Sequence, residues 1–308
     1  MENNLLKKSQ RLIYIKLSLV SMIWGGTFVA GRYISSSIPP LMSASFRFLI
    51  ASVILTFFLI FFTDGFKKID IRQLLTITAL GFCGVYTYNA LFFYGLNYID
   101  ASRASLIVAS NPPVMALLGY LFYKEKISWL KFIGIILCVL GASIVIFGKS
   151  PDLLLNQRQL FWLGDILIFG CVLSWAAYSI FCKKIVNEIG PLYTVTYSIY
   201  AGTVMLFITA LLMKQINFNI LSQLTFSSVI SLFYLGALGS ALGFIWYYDG
   251  IQKIGATRAS VFIALNPLTA VLLGALVLHE KLSFSTLIGG ALIIVGIILC
   301  NKVIVKKI

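Results

Sequence analysis

Ten long apolar runs alternate with short polar joints along the chain, at about residues 13–34, 41–63, 73–97, 101–122, 128–147, 161–182, 191–213, 226–248, 256–277 and 283–303. Each is close to the roughly 20 residues a helix needs to cross the hydrocarbon of a bilayer. The runs are continuously apolar, whereas barrel strands would alternate over about 10 residues. They therefore predict an all-α integral membrane protein of ten transmembrane helices.

The runs also repeat. Residues 80–144 align without gaps on residues 235–299 at an offset of 155, with 23 of 65 positions identical. Gly81/Gly236, Gly95/Gly250, Arg103/Arg258, Asn111/Asn266, Pro112/Pro267 and Glu125/Glu280 are among the matched pairs. The earlier spans pair more weakly at an offset of 151, as in Trp24/Trp175 and Pro40/Pro191. Two five-helix units are implied, residues 1–150 and 151–308. Because five is odd, the second unit enters the membrane from the opposite face, which predicts an inverted repeat with a binding site near the midplane.

Composition and charge agree with this. The chain is 60% hydrophobic and 11% charged, with a mean hydropathy of +0.97, against about a quarter charged in soluble domains. The net charge of +14 is spread in short clusters between apolar runs, so it points to membrane topology and not to nucleic acid. Of the 24 lysines and arginines, 17 fall on the side of the termini, 6 on the other and Arg47 inside a span. The positive-inside rule places both termini in the cytoplasm of a multi-pass protein of the cell membrane. The basic N-terminus leads into a first span, too long for a signal peptide and lacking a cleavage site. The five cysteines all lie in apolar runs, with no spacing that suggests a metal or redox pair.

Three prolines sit within spans: Pro112 and Pro113 in the fourth and Pro267 in the ninth. Each repeat-matched proline frees the carbonyl four residues earlier, at Val108 and Ile263, and kinks the axis. Asn111 and Asn266 add an amide beside each break. In hydrocarbon such groups must be satisfied by protein, water or a ligand. Two readings follow, a cavity wall or a structural kink with asparagine joining neighbouring helices. The first makes Asn111 and Asn266 solute ligands, with the freed carbonyls holding an ammonium.

Trp24 and Trp175 lie mid-span, where an indole N–H needs an interior partner. They are expected either to line or gate a pocket or to pack. Tyr86 and Asn89 in the third span, and Trp175 and Tyr178 in the sixth, form stripes at helical spacing. Trp246, Tyr247 and Tyr248 read as an interfacial anchor. Arg47 reads as structural, snorkelling outward or meeting an anionic group. Glu125 and Glu280 read as helix-start or interfacial ion pairs. Asp165 and Asp249 are weak candidates for a proton carrier, and Gly239 with Gly243 forms a GxxxG packing motif.

WGGTFVAGR in the first span, FRFLIAS in the second, the block LFFYGLNYIDASRASLIVASNPPVMALLGYLFYKEKIS and its echo YYDGIQKIGATRASVFIALNPLTAVLLGALVLHEKLS resemble the ten-helix EamA family of the drug/metabolite transporter superfamily. The resemblance covers nearly the whole chain. It implies a central cavity lined by the first, third, fourth, sixth, eighth and ninth helices, the fifth and tenth being peripheral. It further implies export of a small metabolite such as an amino acid, with importers and broad drug exporters sharing the architecture.

The expected partners are a small-molecule solute, the lipid bilayer and a coupling ion of unknown identity. No cofactor is expected. Without a GxxxxGK[ST] motif, transport is driven by an ion gradient, exchange or the solute's own gradient. The competing reading, an intramembrane enzyme, lacks a nucleophile with its base, and the lone His279 falls in a turn.

Overall fold

Prolines, glycines and polar caps set the helix starts. Pro40 occupies the first turn of α2 (Pro40–Phe62), where its missing N–H costs nothing. Asp70 opens α3 (Ile71–Tyr98) by a reciprocal capping box with Gln73. Gly190, at φ +89°, reverses the chain between α6 (Phe161–Ile189) and α7 (Pro191–Leu212), which again begins on proline. Thr225 accepts from the Ser228 N–H and starts α8 (Phe226–Ile254). The first helix, α1, spans Glu2–Ser35.

The fold is given by a computed structural model, which describes residues 2–123, 128–147, 161–217, 219–220, 224–254, 259, 262–263, 265–280 and 284–301. Glu125 and Arg258 lie outside the described residues. Seven described helices are long and apolar enough to cross a membrane: α1 from Arg11, α2, α3, α4 (in two pieces, Ala101–Val108 and Asn111–Tyr123), α6, α7 and α8. Shorter apolar stretches occur in α5 (Trp129–Phe147), α9 (Leu265–Val277) and α10 (Phe284–Asn301). Phe57, Phe61, Leu212 and Leu276 are among the large apolar side chains left on the outside, as expected of a surface solvated by lipid. The chain is a helical, multi-pass membrane protein.

Three helices are irregular where the sequence repeats. α4 comes as Ala101–Val108 and Asn111–Tyr123, with a turn at residues 109 and 110. Inside α3, residues Gly81–Thr87 form a π-helix, and inside α8, Tyr234–Leu242 do the same. Such segments bond to the carbonyl five residues back and concentrate at functional positions.

α5 and α10 pack on each other, with Gly141 so close that a Cβ there would lie 2.6 Å from the Gly289 carbonyl. The remaining eight form the centre. α1 packs on α8 and α9, α6 on α3 and α4, α2 on α8, α7 on α3, and α2 on α7.

Candidate functional site

The break in α4 and the start of α9 border one small buried cavity of about 40 Å³. Asn111 and Val108 come from α4, Asn266 and Ile263 from the start of α9, Asn89 from α3, and Trp24 and Trp175 from α1 and α6.

The local hydrogen bonds decide what these groups offer. The Asn111 amide Nδ2 donates to the Val108 carbonyl at 2.9 Å, and the Asn266 backbone N–H donates to the Ile263 carbonyl at 2.9 Å. Both carbonyls freed by proline thus already have donors. The atoms left over are the amide oxygens: Asn111 Oδ1 and Asn266 Oδ1 are buried without a hydrogen-bond partner. An unmet acceptor at such depth is costly, so the two oxygens require a donor from the cavity. The side chain of Pro113 is buried, as is that of Pro267.

Aromatic rings form the walls. Trp24 and Trp175 meet edge to face with centroids 5.5 Å apart, and both contact Phe244 of α8. The Trp24 indole N–H donates to the Gly239 carbonyl at 2.8 Å, within the π segment of α8. Gly239 is small because α1 crosses there. A Cβ on it would stand 2.6 Å from the Thr27 methyl, and one on Gly243 would stand 2.6 Å from Trp24 Nε1. The GxxxG motif therefore joins α8 to α1 within one chain.

Two nominated residues fall outside the lining. Tyr178 is fully buried one layer beyond Trp175, its hydroxyl bonded to Ser198 at 2.9 Å. Tyr86 is half-buried between α3 and α7 and accepts from Thr209 at 3.2 Å. Tyr247 and Tyr248 are fully buried and pack with Tyr178 and Trp175, which corrects their reading as an interfacial anchor. Only Trp246 of that trio is half-buried, with Lys16 Nζ 5.8 Å from its ring.

The acidic groups are occupied elsewhere. Asp165 holds Arg103 in a two-pronged pair at 2.7 and 2.6 Å, with both side chains under 5% exposed. Asp249 pairs with Lys253 and Lys16. Glu280 is a helix cap, not an ion pair: it accepts from the Ala101 and Ser102 N–H groups at 2.9 and 3.1 Å and from the Ser102 hydroxyl. It thereby ties the end of α9 to the start of α4. Among the described residues no carboxylate lines the cavity.

Arg47, Thr27, Phe28, Tyr88, Phe92 and Phe244 also line the cavity but were not nominated from sequence. Arg47 is 4% exposed and faces inward instead of snorkelling. Its charge inside a span was the one available signal.

A multi-pass helical bundle with polar groups buried around an internal cavity fits one class of protein, a membrane transporter. The model of the EamA-like transporter family matches residues 11–147 and 162–302, and the chain belongs to that family. An uncharacterized transporter of Bacillus subtilis (strain 168), YyaM, is 30% identical over 294 residues, covering 95% of this chain and 94% of that one. A second from the same organism, YetK, is 28% identical and covers 98% and 90%. An uncharacterized transporter of Archaeoglobus fulgidus is 29% identical and covers 92% and 96%. A crystal structure of a protein that is 15% identical has a TM-score of 0.63, covering 92% of this chain and 94% of that one, which supports the fold.

Proposed function

We propose that the protein is a secondary transporter of the cell membrane that exports a small metabolite such as an amino acid. Its ten helices act as two inverted five-helix units, residues 1–150 and 151–308, with both termini in the cytoplasm. The solute sits between the break in α4 and the start of α9. It donates to Asn111 and Asn266 and rests against Trp24 and Trp175, with Asn89 beside it. Tyr178 and Tyr86 act from the surrounding layer. The units exchange conformations to give alternating access. Export is the direction implied by the family resemblance.

One observation carries the site: five residues nominated from the sequence, on α1, α3, α4, α6 and the start of α9, meet around one buried cavity that contains two amide oxygens without partners. The inverted repeat is supported by matched contacts. Gly81 approaches the Ser198 carbonyl and Ala201, while Gly236 approaches the Arg47 carbonyl and Ile50. Gly84 approaches Tyr178, while Gly239 approaches Thr27. The offsets of 155 and 151 interchange the members of each pair.

Uptake of labelled amino acids and other metabolites into inside-out and right-side-out vesicles, with and without an imposed pH gradient, tests the reading. Accumulation by inside-out vesicles is the expected outcome. Equal solute movement in vesicles with and without the protein would refute it.

A further inference from the structure

Arg47 is the only cation lining the cavity among the described residues, and its partners there are neutral. Its Nε donates to the Ser240 hydroxyl at 2.8 Å and its Nη1 to Asn89 Oδ1 at 3.1 Å. Each partner is anchored in turn. Asn89 Nδ2 donates to the Val85 carbonyl at 2.8 Å and the Ser240 hydroxyl to the Leu235 carbonyl at 3.0 Å, both carbonyls lying within or beside the π segments. The guanidinium is thus aimed by a rigid frame, and among the described residues no carboxylate balances it.

A buried charge without a counter-charge is expensive in a protein interior, and more so in a membrane. Among the described residues the other deeply buried arginine is handled differently: Arg103 has a two-pronged carboxylate from Asp165. The repeat sharpens this contrast. Applying the offsets, Arg47, Asn89 and Ser240 correspond to Ser198, Phe244 and Val85 in the other half. The polar frame therefore occurs once, beside two glycine contacts that occur twice. Packing alone does not require it.

We infer that Arg47 receives the carboxylate of the transported solute, and that the solute class is a small α-amino acid with an apolar side chain. A guanidinium fork matches a carboxylate in geometry and charge. The two partnerless amide oxygens of Asn111 and Asn266 match an ammonium. Trp24, Trp175, Phe28 and Phe244 supply an apolar wall for the side chain. The inference rests on the cavity being the solute site and adds which end of the solute each wall holds. Binding brings Arg47 the counter-charge it lacks.

The test uses the purified full-length protein, with its intrinsic tryptophan fluorescence and thermal stability followed as each of the twenty standard amino acids is added. For leucine and phenylalanine, two relatives are added: the amides, which lack the carboxylate, and 4-methylpentanoate and 3-phenylpropionate, which lack the amine. The expected result is that at least one apolar amino acid binds, its amide binds at least tenfold more weakly, and its desamino acid falls between them. R47K, which keeps the charge but loses the fork, is expected to weaken amino-acid binding at least tenfold while leaving amide binding within twofold. R47Q, checked for folding by size exclusion, is expected to abolish it.

The inference is overturned if none of the twenty binds, if amides bind as tightly as the acids, or if folded R47Q binds like wild type. A solute lacking a carboxylate whose uptake is lost in N266L but kept in R47Q would overturn it while leaving the cavity reading intact. Uptake indifferent to N111L, N266L and R47Q would overturn both.

Discussion

The buried pair of Arg103 and Asp165 links α4 to α6 near the N-terminal ends of both helices. Removing one partner of such a pair leaves a buried charge, which typically costs about 3–5 kcal/mol. D165N is therefore expected to lower the thermal unfolding temperature clearly, and the double change R103M/D165L to recover part of the loss. An unchanged midpoint for D165N would show that the pair is not stabilising. The same residues mark how far a sequence can be read. Asn111 and Asn266 stood out because an amide beside proline in an apolar run is conspicuous. Which of their atoms would be left without a partner was not legible, because Asn111 satisfies the Val108 carbonyl itself. Arg47 was left between two readings for a related reason. A lone charge two turns into a span has the same sequence signature whether it snorkels or faces a cavity, and only the neighbours on α3 and α8 decide.

Helices approach closely wherever a glycine faces another backbone. A Cβ on Gly25 would lie 2.6 Å from the Asn266 carbonyl and 2.6 Å from the Thr269 Cβ, both parts of α9 that cannot swing aside. Gly25→Ala is expected to cost about 1–3 kcal/mol by overpacking and to lower transport, since it pushes α1 from the start of α9. Gly170→Ala would meet only the tip of Leu91 at 2.8 Å, and is expected to leave thermal stability nearly unchanged. Equal effects of the two changes would contradict this account of the α1–α9 contact. At this scale the break in α4 and the close contact at Gly239 and Gly243 were legible. The π segments of α3 and α8 were not, because bonding to the carbonyl five residues back leaves no mark in hydrophobic periodicity. They matter to the site, since the α8 segment supplies Gly239 as acceptor for Trp24 and holds Ser240 against Arg47.

The outward face of the molecule is apolar and its interior holds the polar groups, the arrangement a lipid solvent imposes. The proposed orientation, with the termini in the cytoplasm, puts the joint after α1 outside and the joint after α2 inside. Ser36→Cys is expected to react with a membrane-impermeant maleimide on intact cells, and Asp64→Cys only after permeabilisation. The reverse pattern would invert the topology. The helical, multi-pass character was legible because the hydrophobic demand of a bilayer is strong; the two halves, read from a repeat ungapped over 65 positions, belong to the proposal. The packing of α5 against α10, away from the cavity, followed from family resemblance and not from the residues themselves.

The central claim is that the cavity between the break in α4 and the start of α9 is the path of the solute. Its most direct test is uptake by vesicles carrying N111L or N266L, each confirmed as folded and present at wild-type level. A loss of at least tenfold in both is expected. Transport at the wild-type rate by both would contradict the claim.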